Sequence, residues 1–235
     1  MTAQMLNYSV KNDVAMLAMD DGKANALGYS MIAALSEALD RAQNEAKAVL
    51  ISGREKRFCA GFDLEVMASG PENVRKLVGA GAELLLRIYE HPLPVVIACT
   101  GHALAAGGLL LLAGDLRIGA EGEFRIGLPE VAIGMTMPVF GIELARDRLA
   151  RNRFSEAVTQ ARIYNPVEAA AVGYLDEAVP PAALIETATA RATALAGLAQ
   201  PAFANTKRKE RAATIAHIRD TLAADSGTFD GAQTR

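Results

Sequence analysis

The chain has 235 residues, 51% of them hydrophobic, and a net charge of -3. That is enough for one large domain with a sizeable core, and the mixed, slightly acidic charge argues against nucleic acid or an anionic membrane as the main partner. Only two cysteines occur, Cys59 and Cys99, outside any CxxC or His-paired spacing, which argues against a disulfide framework or a metal site.

The opening residues, MTAQMLNYSV, show no basic stretch followed by an apolar run, so no signal peptide is expected. NYSV and VAMLAMD read as two short strands with KND as the turn between them. SMIAALSEALDRA places Met31, Leu35, Leu39 and Ala42 on one face and reads as a helix with Ser30 as its cap. AVLISG is a buried strand. Residues 72–90 carry Val74, Leu77, Val78, Leu84, Leu85 and Ile88 at helical spacing until Pro92 and Pro94 stop them. VVIAC is a second buried strand, GGLLLLAG a helix apolar on all sides, and DLRIGA a further strand. The longest apolar stretch, ALAAGGLLLLAG, falls well short of the ~20 residues of a membrane span, and a reducing cytoplasm is the expected compartment.

From residue 137 the pattern is mostly helical: 138–149, 153–161, 166–172, 181–199 and 201–224, interrupted by one short strand, LDEAV. The last helix has Ile215, Ile218 and Leu222 on one stripe, and the tail GTFDGAQTR is expected to fray. Alternating helices and short apolar strands predict an α/β fold, divided into a core over 1–180 and a helical part over 181–235.

Two strand exits rich in small residues follow AVLIS and PVVIAC: FCAGFD and TGHALAAGG. Small residues let a ligand reach backbone N–H groups, and a helix start adds a partly positive end. Two such donors meeting at one oxygen would form an oxyanion hole; glycines serving turns and tight helix packing are the other reading. Neither exit is a GxGxxG or P-loop sequence, and no GxSxG elbow occurs. In RIGLPEVAIGMTMP, Glu130 is the lone carboxylate among apolar neighbours. Such surroundings raise a carboxyl pKa towards that of a proton-transfer group, although an exposed turn Glu after Pro129 gives the same string. His91, His102 and His217 lack metal-ligand spacing. His102 reads as a loop residue, Asp63 as a helix cap, and Asp115 as a helix-to-strand junction.

In order along the chain, DGKANAL, FCAGFDL, PVVIACTGHALAAGGLLLLAGDLRIGA, LPEVAIGMTMP and NPVEAAAVGYLDEAVP resemble the crotonase, or enoyl-CoA hydratase/isomerase, superfamily over roughly residues 5–200. The resemblance implies a crotonase-type ββα spiral followed by a helical trimerisation region, and an acyl-CoA thioester substrate without a further cofactor. It implies an oxyanion hole from the backbone N–H groups of Phe62 and Ala106, with Glu130 as catalytic acid/base. It places CoA along Lys23, Ala24, Ala26, Ala60 and Leu64, with Lys56 and Arg57 available to phosphate. Leu109, Met135, Met137 and Phe140 are the acyl-pocket candidates, the flexible thioethers suiting varied chains; core packing accounts equally well for Met135, Met137 and Phe140. One departure stands out. The family's hydratases carry a triple Gly and then a first catalytic Glu; here the positions read Ala105, Ala106, Gly107 and Leu109. A single carboxylate suffices to move a proton between carbons, so the expected reaction is conversion of 3-enoyl-CoA to 2-enoyl-CoA. The alternatives are a 2-enoyl-CoA hydratase (a lyase) of fatty-acid β-oxidation and a non-catalytic acyl-CoA binding or assembly subunit. A homotrimer or hexamer is expected, with no nucleic acid or membrane partner.

Overall fold

The computed structural model describes residues 5–226. Strands Leu6–Lys11 (β1) and Val14–Met19 (β2) pair antiparallel around Asn12 and Asp13, which sit at φ 51° and 61°. Two consecutive left-handed residues match the twist of a tight hairpin, and Asn and Asp tolerate that conformation. There follow α1 (Tyr29–Glu45), β3 (Ala48–Ser52), β4 (Lys56–Cys59), α2 (Leu64–Met67), α3 (Pro71–Tyr89), β5 (Val95–Cys99), β6 (Gly101–Leu104), α4 (Ala106–Ala113), β7 (Leu116–Ala120) and β8 (Ile126–Gly127). After a 3-10 turn at Val131–Ile133 come α5 (Val139–Arg148), α6 (Phe154–Val158), β9 (Ile163–Tyr164), α7 (Pro166–Val172), β10 (Glu177–Val179), α8 (Leu184–Ala196) and α9 (Gln200–Ser226).

The strands sort into a six-stranded sheet, β1-β2-β3-β5-β7-β10, and a four-stranded sheet, β4-β6-β8-β9. The pairs β3/β4, β5/β6 and β7/β8 each give their first member to the larger sheet and their second to the smaller before the chain passes into helix. The spiral expected of the chain is thereby formed. β3 and β5 are buried along their whole length, as continuous apolar runs in parallel sheets should be. One face of the larger sheet meets α1, α3 and α4 in the main core. On the other face, Leu50, Val96, Ala98 and Ile118 lie under Leu184, Ala188, Ala192 and Ala196 of α8. Alanine at every fourth position keeps that face of α8 thin enough to lie close against the strands.

Two expectations need correction. Ser30 lies inside α1, whose N-cap is Gly28 with no side-chain cap bond. His102 belongs to β6 rather than to a loop, and the four-stranded sheet as a whole was not expected. Ile218, with Ile215 and Leu222 beside it, is buried in the chain's own main core, where α9 packs on α3 and α5. The chain itself thus covers Ile218 and leaves Ile215 and Leu222 half-buried. The tail over 227–235 lies outside the described residues. No helix among the described residues is long and apolar enough to cross a membrane.

Candidate active site

The first strand exit is held from behind by Asn25. Fully buried at φ 54°, it donates from its side-chain amide to the carbonyls of Met19 (3.0 Å), Arg57 (3.2 Å) and Phe58 (3.2 Å), and accepts from the Asp21 N–H. This clamps the KANAL loop to β4. The Ala60 N–H then donates to the Ala24 carbonyl (3.1 Å), the Leu27 N–H to the Gly61 carbonyl (2.8 Å) and the Asp63 N–H to the Leu27 carbonyl (3.3 Å). In such a parallel bridge Leu27 uses the residues on either side of Phe62. The Phe62 N–H is turned away and donates to no protein acceptor. Its ring is seated where a Cβ on Gly81 of α3 would lie only 2.3 Å from Phe62 Cε1. Asp63 caps α2 as expected, its Oδ1 accepting from the N–H groups of Glu65 and Val66.

The second exit touches the first. A Cβ on Gly61, at φ 107°, would lie 3.1 Å from Ala105 Cβ and 3.6 Å from Ala106 N, and one on Gly107 would lie 2.1 Å from the Cys59 carbonyl oxygen. Only glycine fits either place. The Ala106 N–H opens α4, where the first turn of a helix has no internal acceptor, and it too donates to no protein group. Two unpaired backbone donors, Phe62 and Ala106, thus belong to loops in van der Waals contact, one of them at the positive end of a helix. Ala105 holds this turn at φ 52°, ψ -124°, a conformation natural to glycine.

The third segment joins α4 from the other side. The Ala105 N–H donates to the Gly127 carbonyl (3.0 Å), and a Cβ on Gly108 would stand 2.9 Å from the same oxygen. Three residues on is Glu130. It is only 6% exposed, whereas Val131, Ala132 and Ile133 beyond it are exposed, so the carboxylate is turned inward and is not a surface turn residue. Its Oε2 is buried without a hydrogen-bond partner. Burial pushes its pKa up to about 7, with a small opposing pull from its own backbone N–H. Leu109 is 1% exposed and packs with Met137 around Gly141 of α5. Leu109, Met137 and Phe140 are all members of the main core, while Met135 is half-buried.

Of the CoA-binding candidates, Ala24 and Ala26 are half-buried on the clamped loop. Lys23 and Ala60 are exposed, and Leu64 is 81% exposed at the start of α2. Lys56 and Arg57 are exposed on β4, and Arg54 braces the loop from its Nη1 to the Lys23 carbonyl. His102 Nδ1 accepts from the Arg125 N–H against the edge of Phe124. His91 is a buried brace between Leu39 and Leu93. Both cysteines are buried free thiols pushed up to about 12. Three residues here escaped the sequence reading: Asn25, and the buried Tyr164 and Tyr174, whose hydroxyls have no hydrogen-bond partner.

The sequence pattern of the enoyl-CoA hydratase/isomerase family matches residues 9–234. The chain belongs to that family. A protein of Rhodobacter capsulatus named "Probable enoyl-CoA hydratase" is 33% identical over 88% of this chain and 81% of its own length. The crystal structure of an enoyl-CoA hydratase/isomerase family protein from Pseudomonas syringae superposes with a TM-score of 0.94 at 39% identity, covering 96% of this chain and 98% of that one. A Mycobacterium tuberculosis structure titled as an enoyl-CoA isomerase gives 0.91 at 37% identity, covering 96% and 99%. The molecule is a crotonase-superfamily enzyme acting on acyl-CoA thioesters, with the mixed α/β spiral and helical C-terminal region of its relatives.

Proposed function

We propose that the enzyme shifts the double bond of a 3-enoyl-CoA to the 2-position, using Glu130 as its one acid/base group. The observation that carries this is the pairing of a buried carboxylate, its Oε2 without a partner and its pKa near 7, with a leucine where the family's hydratases place their first glutamate. The thioester oxygen sits between the Phe62 and Ala106 N–H groups. Glu130 takes a proton from C2, and the C–H electrons form the C1–C2 double bond of a dienolate whose charge rests on that oxygen. Collapse of the dienolate restores the carbonyl, forms the C2–C3 double bond and draws the same proton onto C4. Each oxyanion donor contributes about 3 kcal/mol to such a step. CoA runs along Ala24, Ala26 and Ala60, with Lys23 and Leu64 at the exposed rim. Leu109, Met137, Phe140 and Met135 line the acyl side.

The test is to supply 3-enoyl-CoA and 2-enoyl-CoA separately over a range of chain lengths. Faster appearance of conjugated thioester from the 3-enoyl substrate than of 3-hydroxyacyl-CoA from the 2-enoyl substrate is expected; the reverse order overturns the reading. The second reading, hydratase, is favoured by the name of the Rhodobacter relative. Leu109→Glu separates the two. It should raise the ratio of 3-hydroxyacyl-CoA to 2-enoyl-CoA formed, while a wild type that already hydrates efficiently shows that Leu109 decides nothing. Assembly as a trimer or hexamer rests on the family likeness, because Ile218 of the α9 stripe is already buried in the chain's own core; a monomer in sedimentation at micromolar concentration contradicts it.

A further inference from the structure

A cavity of about 400 Å³ lies between the start of β7, the C-terminal end of α5 and helices α8 and α9. That volume falls within the range of small-ligand sites. It adjoins the C-terminal end of α4, roughly 12 Å along that helix from the Ala106 N–H, and so is separate from the acyl-CoA site. Asp115, Arg148, Lys207 and Arg211 form its charged wall, with Arg191 and Glu210 exposed at the rim. The side chains of Lys207 and Arg211 are 4% exposed and that of Arg148 13%. Three sheltered cations thus share one buried carboxylate. Asp115 is fully engaged: Oδ1 accepts from Arg211, and Oδ2 from Lys207 and the Val95 N–H. A second acid, Asp147, stands 3.9 Å from Arg148 Nε and already accepts from the Tyr89 hydroxyl. At the rim Arg191 and Glu210 offset each other. The wall therefore keeps an excess of positive charge, which is costly where water is scarce. Two further observations agree. Arg211 Nε is buried with no acceptor among the described residues. Burial, offset only in part by Asp115, and the neighbouring arginines push Lys207 down to about 8, and burial with the charges of Arg211 and Arg117 lowers Arg148.

We propose that this cavity is a binding site for a phosphate group, held by Arg148 and Lys207 with Arg191 at the rim. The donors are to hand. Arg148 gives Nε to the Leu112 carbonyl (3.2 Å) and Nη2 to the Gly114 carbonyl (2.8 Å), which leaves Nη1 with no acceptor among the described residues. Lys207 gives Asp115 one of the three N–H groups of an ammonium. Guanidinium and ammonium donors match phosphate oxygens, and a dianion supplies the negative charge that the wall lacks. The bare ion fills only part of the cavity. Leu195 and Phe203, which also line it, offer an apolar surface to whatever the phosphate is attached to. Bound there, the ligand joins α5, α8 and α9, so binding stabilises the folded chain.

The experiment is calorimetric titration of the full chain with inorganic phosphate and, separately, with AMP, at an ionic strength fixed by chloride. Both should bind at one site per chain. AMP binding at least tenfold tighter identifies a phosphorylated metabolite as the ligand, and equal affinities identify the free ion. Arg148→Gln keeps a donor for the α4 carbonyls and removes the charge; it should weaken binding about thirtyfold, as for a lost hydrogen bond to a charged group. Arg191→Ala, at the exposed rim, should weaken it about fivefold. Lys56→Ala and Arg57→Ala are the controls, because the acyl-CoA site also receives phosphates; affinity at the cavity should be unchanged in both. No heat beyond the chloride control overturns the proposal. So does binding that is lost in the Lys56 and Arg57 variants and kept in those of Arg148 and Arg191. Should Arg148→Gln not fold, Arg191→Ala decides through a second readout. At phosphate twentyfold over Kd the wild type should gain roughly 4–7 °C in Tm. Arg191→Ala at the same concentration should gain less, and an equal gain reduces the effect to general salt stabilisation and overturns the site.

Discussion

Two buried carboxylates flank α4, and they are held in opposite ways. Asp115, just beyond the helix C-terminus, accepts from Lys207 Nζ and the Val95 N–H through Oδ2 and from Arg211 Nη2 through Oδ1, all at 2.7 Å. Glu130, reached through the segment packed on the helix N-terminus, has Oε2 without a partner. The ion pairs of Asp115 tie β5 and α9 to the start of β7; Glu130, with no cation beside it, keeps its proton up to about pH 7. Pairing turns a buried acid into scaffold. Isolation keeps it titratable, as proton transfer requires.

The largest effect should come from Glu130→Gln, which keeps shape and removes the proposed base. Turnover should fall by roughly 10³-fold or more with acyl-CoA binding within a few-fold; near-normal kcat would erase the contrast between the two acids. Asp115→Ala should do the reverse and act on stability. It leaves Lys207 and Arg211, both 4% exposed, without their counter-charge. A loss of about 3–5 kcal/mol in denaturant unfolding is expected for breaking one side of a buried pair. Burial has already pushed Lys207 down to about 8, so shedding its proton sets the lower end of that range. Unfolding indistinguishable from wild type would show the cluster to be ornamental.

The contrast explains what was legible in the sequence. The larger sheet was readable because AVLIS and VVIAC are apolar runs of strand length, and α3 because its apolar residues repeat at helical spacing. The smaller sheet was not, because β4, β6, β8 and β9 are only two to four residues long, and β6 and β8 each include a glycine. Their pairing is set by tertiary contacts such as Gly107 on the Cys59 carbonyl. Glu130 was visible as a lone acid among apolar residues, but whether it faced in or out depended on the turn at Val131–Ile133. The roles assigned to Phe62 and Ala106 came through family motifs; their free N–H groups are a matter of backbone direction that composition does not encode. Asn25, Tyr164 and Tyr174 carry no local pattern at all, since each acts on residues distant in the chain.

A pH series sharpens the difference between the acids further. Glu130 titrates near 7 in the folded protein against an ordinary value of 4.5. The folded state therefore binds its proton more tightly than the unfolded chain does. Its contribution is fully present below pH 4.5 and is lost as pH rises through 7. Glu130→Gln removes that loss. The variant should match wild type near pH 4.5 and exceed it above pH 8 by about 3 kcal/mol, the equivalent of the shift. A stability gap that does not widen between those pH values would mean that the folded Glu130 is not held protonated.

The smallest effect concerns where strain is stored. Ala105, at φ 52° and ψ -124°, is in backbone territory that costs an L-residue roughly 1–3 kcal/mol, and it is held there by its N–H bond to Gly127 and by Leu109 bonding back to its carbonyl. Glycine would relieve the strain but enlarge the entropy of the unfolded chain by about 0.4–1 kcal/mol. Ala105→Gly should therefore stabilise by about 1 kcal/mol, a rise in Tm of roughly 2–4 °C for a chain of this size. Ala105→Val should destabilise, because a β-branched side chain resists positive φ more strongly. If glycine lowers Tm, the turn is not strained as the backbone angles imply, and the loop that presents the Ala106 N–H is held no more tightly than an ordinary helix start.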